Sequence, residues 1–126
     1  MTAKKILKEL ISYNTINDKE NEKIINYIEK YLKEYGFKTE YKSKCLVMSN
    51  SNDCSIGFLG HTDTVSYSDD WSSNPFELKE LNGKLYGLGT SDMKGSIAAI
   101  LKAVTKINFD KKGIKLFFTY DEEIGF

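Results

Sequence analysis

The sequence predicts an α/β fold in which a layered sheet is flanked by helices. Two apolar stripes at helical spacing fill the first third of the chain, and alternating or β-branched segments take over after Gly36. The order then runs strand, hairpin, helix, strand, an interleaving that fits neither a helical bundle nor a sandwich. At 126 residues the chain can form one domain with a real core and is too short for two.

Each element has its own signal. Ile6, Leu7, Leu10 and Ile11 form the first stripe, and Ile24, Ile25, Ile28, Leu32 and Tyr35 the second. Asp18 is placed to cap the start of the second helix, and Gly36 to occupy the C′ position that ends it. Phe37 to Lys42 alternates, Cys45 to Met48 is a short apolar run, and Asn50 to Asp53 supplies turn chemistry. Ser55 to Leu59 reads as a strand leading into Gly60-His61-Thr62-Asp63.

Residues 66–75 are polar and contain Trp71 and Pro75, which predicts a loop. Phe76 to Leu81, Asn82-Gly83 and Lys84 to Tyr86 together form a strong two-residue hairpin signal. The bend Gly87-Leu88-Gly89 precedes a helix expected near Ser91 to Ile107, with Ile97, Ile100, Leu101 and Val104 on one face. Gly113 to Tyr120 reads as a strand that runs straight into Asp121-Glu122-Glu123. No repeat, linker or low-complexity segment interrupts this order.

Composition removes several classes of function. The 18 basic and 18 acidic residues cancel, so no overall field favours nucleic acid or an anionic membrane. Every basic residue is a lysine, and without arginine the bidentate fork used for phosphate and base readout is missing. No apolar run approaches the roughly eighteen residues of a membrane span. The N-terminus is charged and periodic and carries no signal-peptide core. Cys45 and Cys54 fit neither a CxxC redox motif nor a zinc-knuckle spacing, which suggests a reduced, cytoplasmic setting. Between Gly89 and Gly95 stand five residues, with Lys94 before the second glycine, so the bend matches neither a Walker loop nor GxGxxG.

The chemistry-bearing residues collect where strands end. The single histidine, His61, lies beside Asp63 at spacing i, i+2, which in extended chain sends both side chains to one side. Asp63 could then accept the imidazole N–H that is not used for ligation, fixing the tautomer. Taken alone, one histidine is more often structural than ligating. Asp92 at a helix start and Glu122 and Glu123 at a strand end have equally plain readings as a capping acid and a solvated strand end. In open α/β sheets, however, sites form beyond the carboxyl ends of strands, and His61, Asp63, Glu122 and Glu123 all fall there.

Four blocks carry a family resemblance. Gly60-His61-Thr62-Asp63-Thr64-Val65, then Trp71 with Pro75-Phe76, then Gly83 to Gly95, then Asp121-Glu122-Glu123 resemble the M20 metallopeptidase family, in order and over nearly the whole chain. The stretch Trp71 to Gly95 is most similar to the acetylornithine deacetylase branch. Relatives such as the succinyl-diaminopimelate desuccinylases usually carry Arg where Leu88 stands. Ser66 departs from the family, which commonly has proline there.

The resemblance implies part of a zinc-peptidase-like catalytic domain with two Zn2+ ions per complete site, for which Co2+ can substitute. His61 would bind one metal, Asp92 would bridge both, and Glu123 would bind the other. Glu122 would act as general base and Asp63 as the partner of His61. A cis peptide would follow Asp92. Each metal would need one more ligand, and a dimerisation (lid) domain and the C-terminal part of the catalytic domain would lie outside residues 1–126. On its own this chain is then expected to bind metal weakly and to be inactive.

The implied reaction is metal-assisted hydrolysis of an N-acyl amino acid, foremost N-acetylornithine to ornithine and acetate in arginine biosynthesis. Glu122 would take the water proton and deliver it to the leaving amine. Another deacylase or dipeptidase of the family, or a non-catalytic truncated module, are the alternatives. The expected partners are a small-molecule substrate and, through the dimerisation domain, a second subunit, with no nucleic acid and no membrane.

Overall fold

The computed structural model describes residues 1–17, 19–106 and 113–124. Helix α1 spans Ala3–Ser12, and the Thr2 hydroxyl accepts the Lys5 N–H at its start. Its buried residues are the four of the expected stripe, Ile6, Leu7, Leu10 and Ile11. Helix α2 spans Asn21–Lys33 and buries Ile24, Ile25, Ile28, Tyr31 and Leu32. The proposed cap Asp18 lies outside the described residues. Gly36, at φ +88°, closes α2 as a Schellman turn: its N–H bonds the Lys33 carbonyl at 3.2 Å and the Phe37 N–H bonds that of Leu32 at 3.1 Å. Tyr35, expected on the buried stripe, is exposed because the helix has ended by then; its ring packs against that of Tyr31 at a 42° tilt with centroids 5.1 Å apart.

Four strands form a mixed sheet, β1 (Lys38–Lys42), β2 (Cys45–Ser49), β3 (Cys54–His61) and β6 (Gly113–Thr119), in the order β1-β2-β6-β3. β2 runs antiparallel to β1 and β6, and β3 runs parallel to β6. Alternate residues Ile114, Leu116 and Phe118 of β6 join Leu46 and Met48 of β2 in one core with the helices. α2 packs over β1 and β2. The residues between, Val47 and Phe117, are only half buried. β3 is an edge strand, and its Leu59 is 71% exposed.

The hairpin forms where expected, as β4 (Lys79–Leu81) and β5 (Lys84–Tyr86). Asn82 at φ 53° and Gly83 at φ 77° have the two positive angles of a type I′ turn. The next helix differs from expectation. α3 spans Gly95–Ala103, four residues later than Ser91, because Thr90–Lys94 is an irregular turn with Asp92 at φ −131°, ψ 88° and Met93 at φ −142°, ψ 29°. The Asp92–Met93 peptide is cis. The far end of the expected helix, Ile107, lies outside the described residues. α3 lies along α1 and buries Ile97, Ala98 and Leu101.

Candidate functional site

The parallel pairing of β3 and β6 sets the site. His61 stands opposite Thr119 in register, so both strands end at the same level and their following loops leave side by side. Thr62 reinforces this, its N–H donating to the Thr119 carbonyl at 2.7 Å. β6 ends at Thr119, one residue earlier than the sequence suggested, so Glu122 and Glu123 sit in a turn instead of a strand. Their side chains are therefore not forced to opposite faces. Each places a carboxylate oxygen 4.0 Å from His61 Nε2.

Asp63 holds that turn in place. It is 2% exposed, and its Oδ1 and Oδ2 accept the backbone N–H groups of Glu122 (3.3 Å) and Glu123 (2.8 Å). The nearest acceptor for His61 Nδ1 is the Asp63 backbone carbonyl at 3.0 Å, with the carboxylate at 3.4 Å. Orientation of the imidazole is thus shared between the carbonyl and the side chain, where the sequence suggested the carboxylate alone. In either case Nδ1 is the donor to Asp63, and Nε2 faces the acids, donating to the Asp92 carboxylate in the imidazolium form and free to ligate once it gives up that proton.

Asp92 arrives from the turn before α3. Gly89 makes this approach possible: it adopts φ +85°, and an added Cβ would come within 2.5 Å of the Thr64 methyl. The two loops press together there, and Asp92 Oδ1 lies 2.9 Å from His61 Nε2. Its side chain is 73% exposed, so its carboxylate remains open to a ligand. Sequence reasoning did not find Met93, whose Sδ accepts the His61 N–H at 3.4 Å, nor Lys94, which is 1% exposed. A charged residue next to a glycine at a helix start gives no signal of burial.

The electrostatics are those of a crowded acidic site. Burial first, and then the charges of Glu122 and Asp92, push the Glu123 carboxyl above the usual range. Burial pulls the His61 imidazole down, but the hydrogen bonds to Asp92 and the Asp63 carbonyl, together with those acids' charges, outweigh it and leave it raised. Among the described residues, no lysine pairs with Asp92, Glu122 or Glu123. Donor atoms of His61, Glu122 and Glu123 lie within 4.8 Å of one another. One imidazole and several carboxylates, converging with too little positive charge, are a donor set that fits a borderline divalent cation.

Comparison with known proteins places this arrangement. Residues 57–126 match the sequence profile of Peptidase family M20/M25/M40. The chain belongs to that family. It is 40% identical over 134 residues to succinyl-diaminopimelate desuccinylase of Rickettsia rickettsii (strain Sheila Smith), covering 93% of this chain and 35% of that protein. It is 38% identical over 135 residues to acetylornithine deacetylase of Buchnera aphidicola subsp. Schizaphis graminum (strain Sg), covering 94% and 35%. This M20 chain therefore spans about a third of the length of the curated relatives it matches. In fold it resembles human carnosine dipeptidase 1, with TM-score 0.86, 20% identity and coverage of 98% and 32%. It also resembles the M20 family metallo-carboxypeptidase Sso-CP2 of Sulfolobus solfataricus, with TM-score 0.81, 24% identity and coverage of 97% and 31%. The M20 family is one of hydrolases that use a divalent metal. No helix among the described residues is long and apolar enough to cross a membrane.

Proposed function

We propose that this chain supplies the nucleophile-activating half of a zinc-dependent amidohydrolase that cleaves the amide bond of an N-acyl amino acid. The observation that supports it most directly is the convergence of Asp92, Glu122 and Glu123 on His61 Nε2 at 2.9, 4.0 and 4.0 Å. His61, Asp92 and Glu123 would hold the metal, with Asp92 bridging a pair, and Co2+ would substitute for Zn2+. The cation, when bound, supplies Lewis acidity toward the acyl carbonyl. Glu122, half exposed beside the cluster, takes the proton of the attacking water and hands it to the leaving amine. Asp63 fixes the turn that presents both glutamates, and its carbonyl fixes His61.

The leading substrate is N-acetylornithine, with ornithine and acetate as products. Leu88, buried where desuccinylases of the family usually carry arginine, supports it. A second reading, desuccinylation of N-succinyl-diaminopimelate, is favoured by the relatives of that name at 40–41% identity. A panel of N-acetyl and N-succinyl amino acids with Zn2+ or Co2+ separates the two. Release of acetate from N-acetylornithine alone supports the first, release of succinate the second, and no metal-dependent hydrolysis by a chain of the relatives' full length overturns both.

Residues 1–126 are, in this reading, the N-terminal portion of the catalytic domain, with its remainder and a dimerisation domain encoded elsewhere in a longer chain. The exposed apolar edge of β3 supports this, since Ile56, Phe58 and Leu59 there are the kind of surface a further element covers. Free Cys45 and Cys54 fit the cytoplasm as the proposed compartment.

A further inference from the structure

Neither the proposed cation ligands nor the proposed base uses the segment Tyr13–Ile16 between α1 and α2, yet this segment touches both loops that carry ligands. Toward the His61 loop, the Thr15 hydroxyl donates to the Thr62 carbonyl at 2.8 Å, and the Thr64 N–H donates to the Thr15 carbonyl at 3.2 Å. Ile16 also bridges to Thr64 as an isolated parallel pair. Toward the Asp92 loop, Lys94 Nζ donates to the Tyr13 carbonyl at 3.0 Å. The Lys94 N–H in turn bonds the Gly89 carbonyl at 2.8 Å, so backbone and side chain of this residue hold both ends of the turn that presents Asp92.

The segment is itself braced. The Asn14 N–H donates to Glu20 Oε1 at 2.7 Å, and the Glu20 N–H returns to the Asn14 carbonyl at 2.9 Å. Lys94 is among the largest fully buried side chains of the protein. Burying an ammonium is costly, and a methionine of similar length would fill the same space without that cost. The cost is explained by what the charged end holds.

We propose that Lys94 is a positioning residue for the cation site: by tying the Asp92 loop to the segment that grips Thr62 and Thr64, it sets the separation of His61 and Asp92. This rests on the reading above, that these residues bind a divalent cation. Coupling is mutual, so if the strap Tyr13–Ile16 supports cation binding, a bound cation must stabilise the strap to the same extent.

The test uses Co2+ titration followed by visible absorption on a chain of the relatives' full length, as wild type, Lys94→Met and Tyr31→Phe. Tyr31→Phe is the control, because it removes a buried 3.1 Å hydrogen bond to the Leu101 carbonyl away from the strap. Lys94→Met should weaken Co2+ binding at least tenfold and alter the visible bands, whereas Tyr31→Phe should lower Tm and leave both unchanged. A second measurement needs no variant: saturating Zn2+ should slow amide exchange of Asn14, Glu20 and Thr64 in the wild-type protein several-fold. If Lys94→Met does not fold, that exchange measurement decides. Wild-type affinity and spectrum in folded Lys94→Met, or strap amides indifferent to saturating Zn2+, would overturn the role of Lys94 alone. A wild-type protein that takes up neither metal would instead remove the cation reading of His61, Asp92 and Glu123, and this inference with it.

Discussion

The carboxylate of Asp63 reaches across from the end of β3 to the turn after β6 and accepts the Glu123 N–H at 2.8 Å. With the Glu122 N–H at 3.3 Å on its other oxygen, one buried acid fixes the backbone of both glutamates. This makes Asp63 a determinant of where the two side chains stand.

Asp63→Ala should therefore loosen the turn while leaving the core intact. Two charge-assisted bonds to a buried carboxylate are worth about 3 kcal/mol together, and chemical denaturation should show a loss of that size. Metal affinity should fall with it. A variant with wild-type stability and metal binding would show that the turn is held by other means.

The adjacent glutamates should separate functionally. In a chain of the relatives' full length, Glu122→Gln should keep its metal content while the rate of hydrolysis falls by roughly 10²–10⁴-fold, the usual effect of losing a general base. Glu123→Gln should lose metal, with activity falling in step. Elemental analysis beside kcat for the two variants checks this, and the opposite pattern would exchange their roles.

Stability should rise with pH above neutrality because of Lys94. Burial pushes its ammonium down to about 8, partly opposed by the Glu20 charge, while the unfolded chain keeps the ordinary lysine value. The folded state thus releases this proton first, and stability increases as pH passes through about 8. The gain should be roughly 1–2 kcal/mol between about pH 7 and 9.5. Above about pH 10 the direction reverses, because burial holds Tyr13, Tyr27 and Tyr31 protonated in the folded state after the unfolded chain has ionised. Urea denaturation across this range checks the shape, and Lys94→Met should flatten the rise and keep the fall.

Metal should stabilise more at pH 7 than at pH 5. The Glu123 carboxyl is raised by burial and by Glu122 and Asp92, so the metal-free protein loses stability as pH rises from the ordinary carboxylate value, where the unfolded chain ionises, to the raised folded value. A cation offsets this charge and also requires a neutral His61. The increase in Tm on adding Zn2+, measured at both pH values, should be larger at pH 7; an equal or reversed increment would argue against binding at this cluster.

The sequence by itself determined the local elements whose signals are periodic or stereochemical. The four residues of α1, the closing of α2 at Gly36 and the Asn82-Gly83 hairpin formed where the pattern placed them, because helical stripes and positive-φ turns depend on neighbours in the chain. It also placed the acids and the histidine at strand ends, where the parallel pairing of β3 and β6 brings them together.

Only the tertiary structure decided the rest. α3 begins at Gly95 and not at Ser91, because the Asp92 loop is shaped by packing against Thr64 and by the Lys94 bonds to Gly89 and Tyr13. Apolar periodicity carries no information about those contacts. The strand end at Thr119, which lets Glu122 and Glu123 approach the same imidazole, depends on Asp63, some sixty positions earlier in the chain. The buried Lys94 likewise finds its hydrogen-bond acceptor in Tyr13, 81 positions away. Spacing within a segment reports which side chains share a face; hydrogen bonds between distant loops exist only after the sheet has brought those loops together.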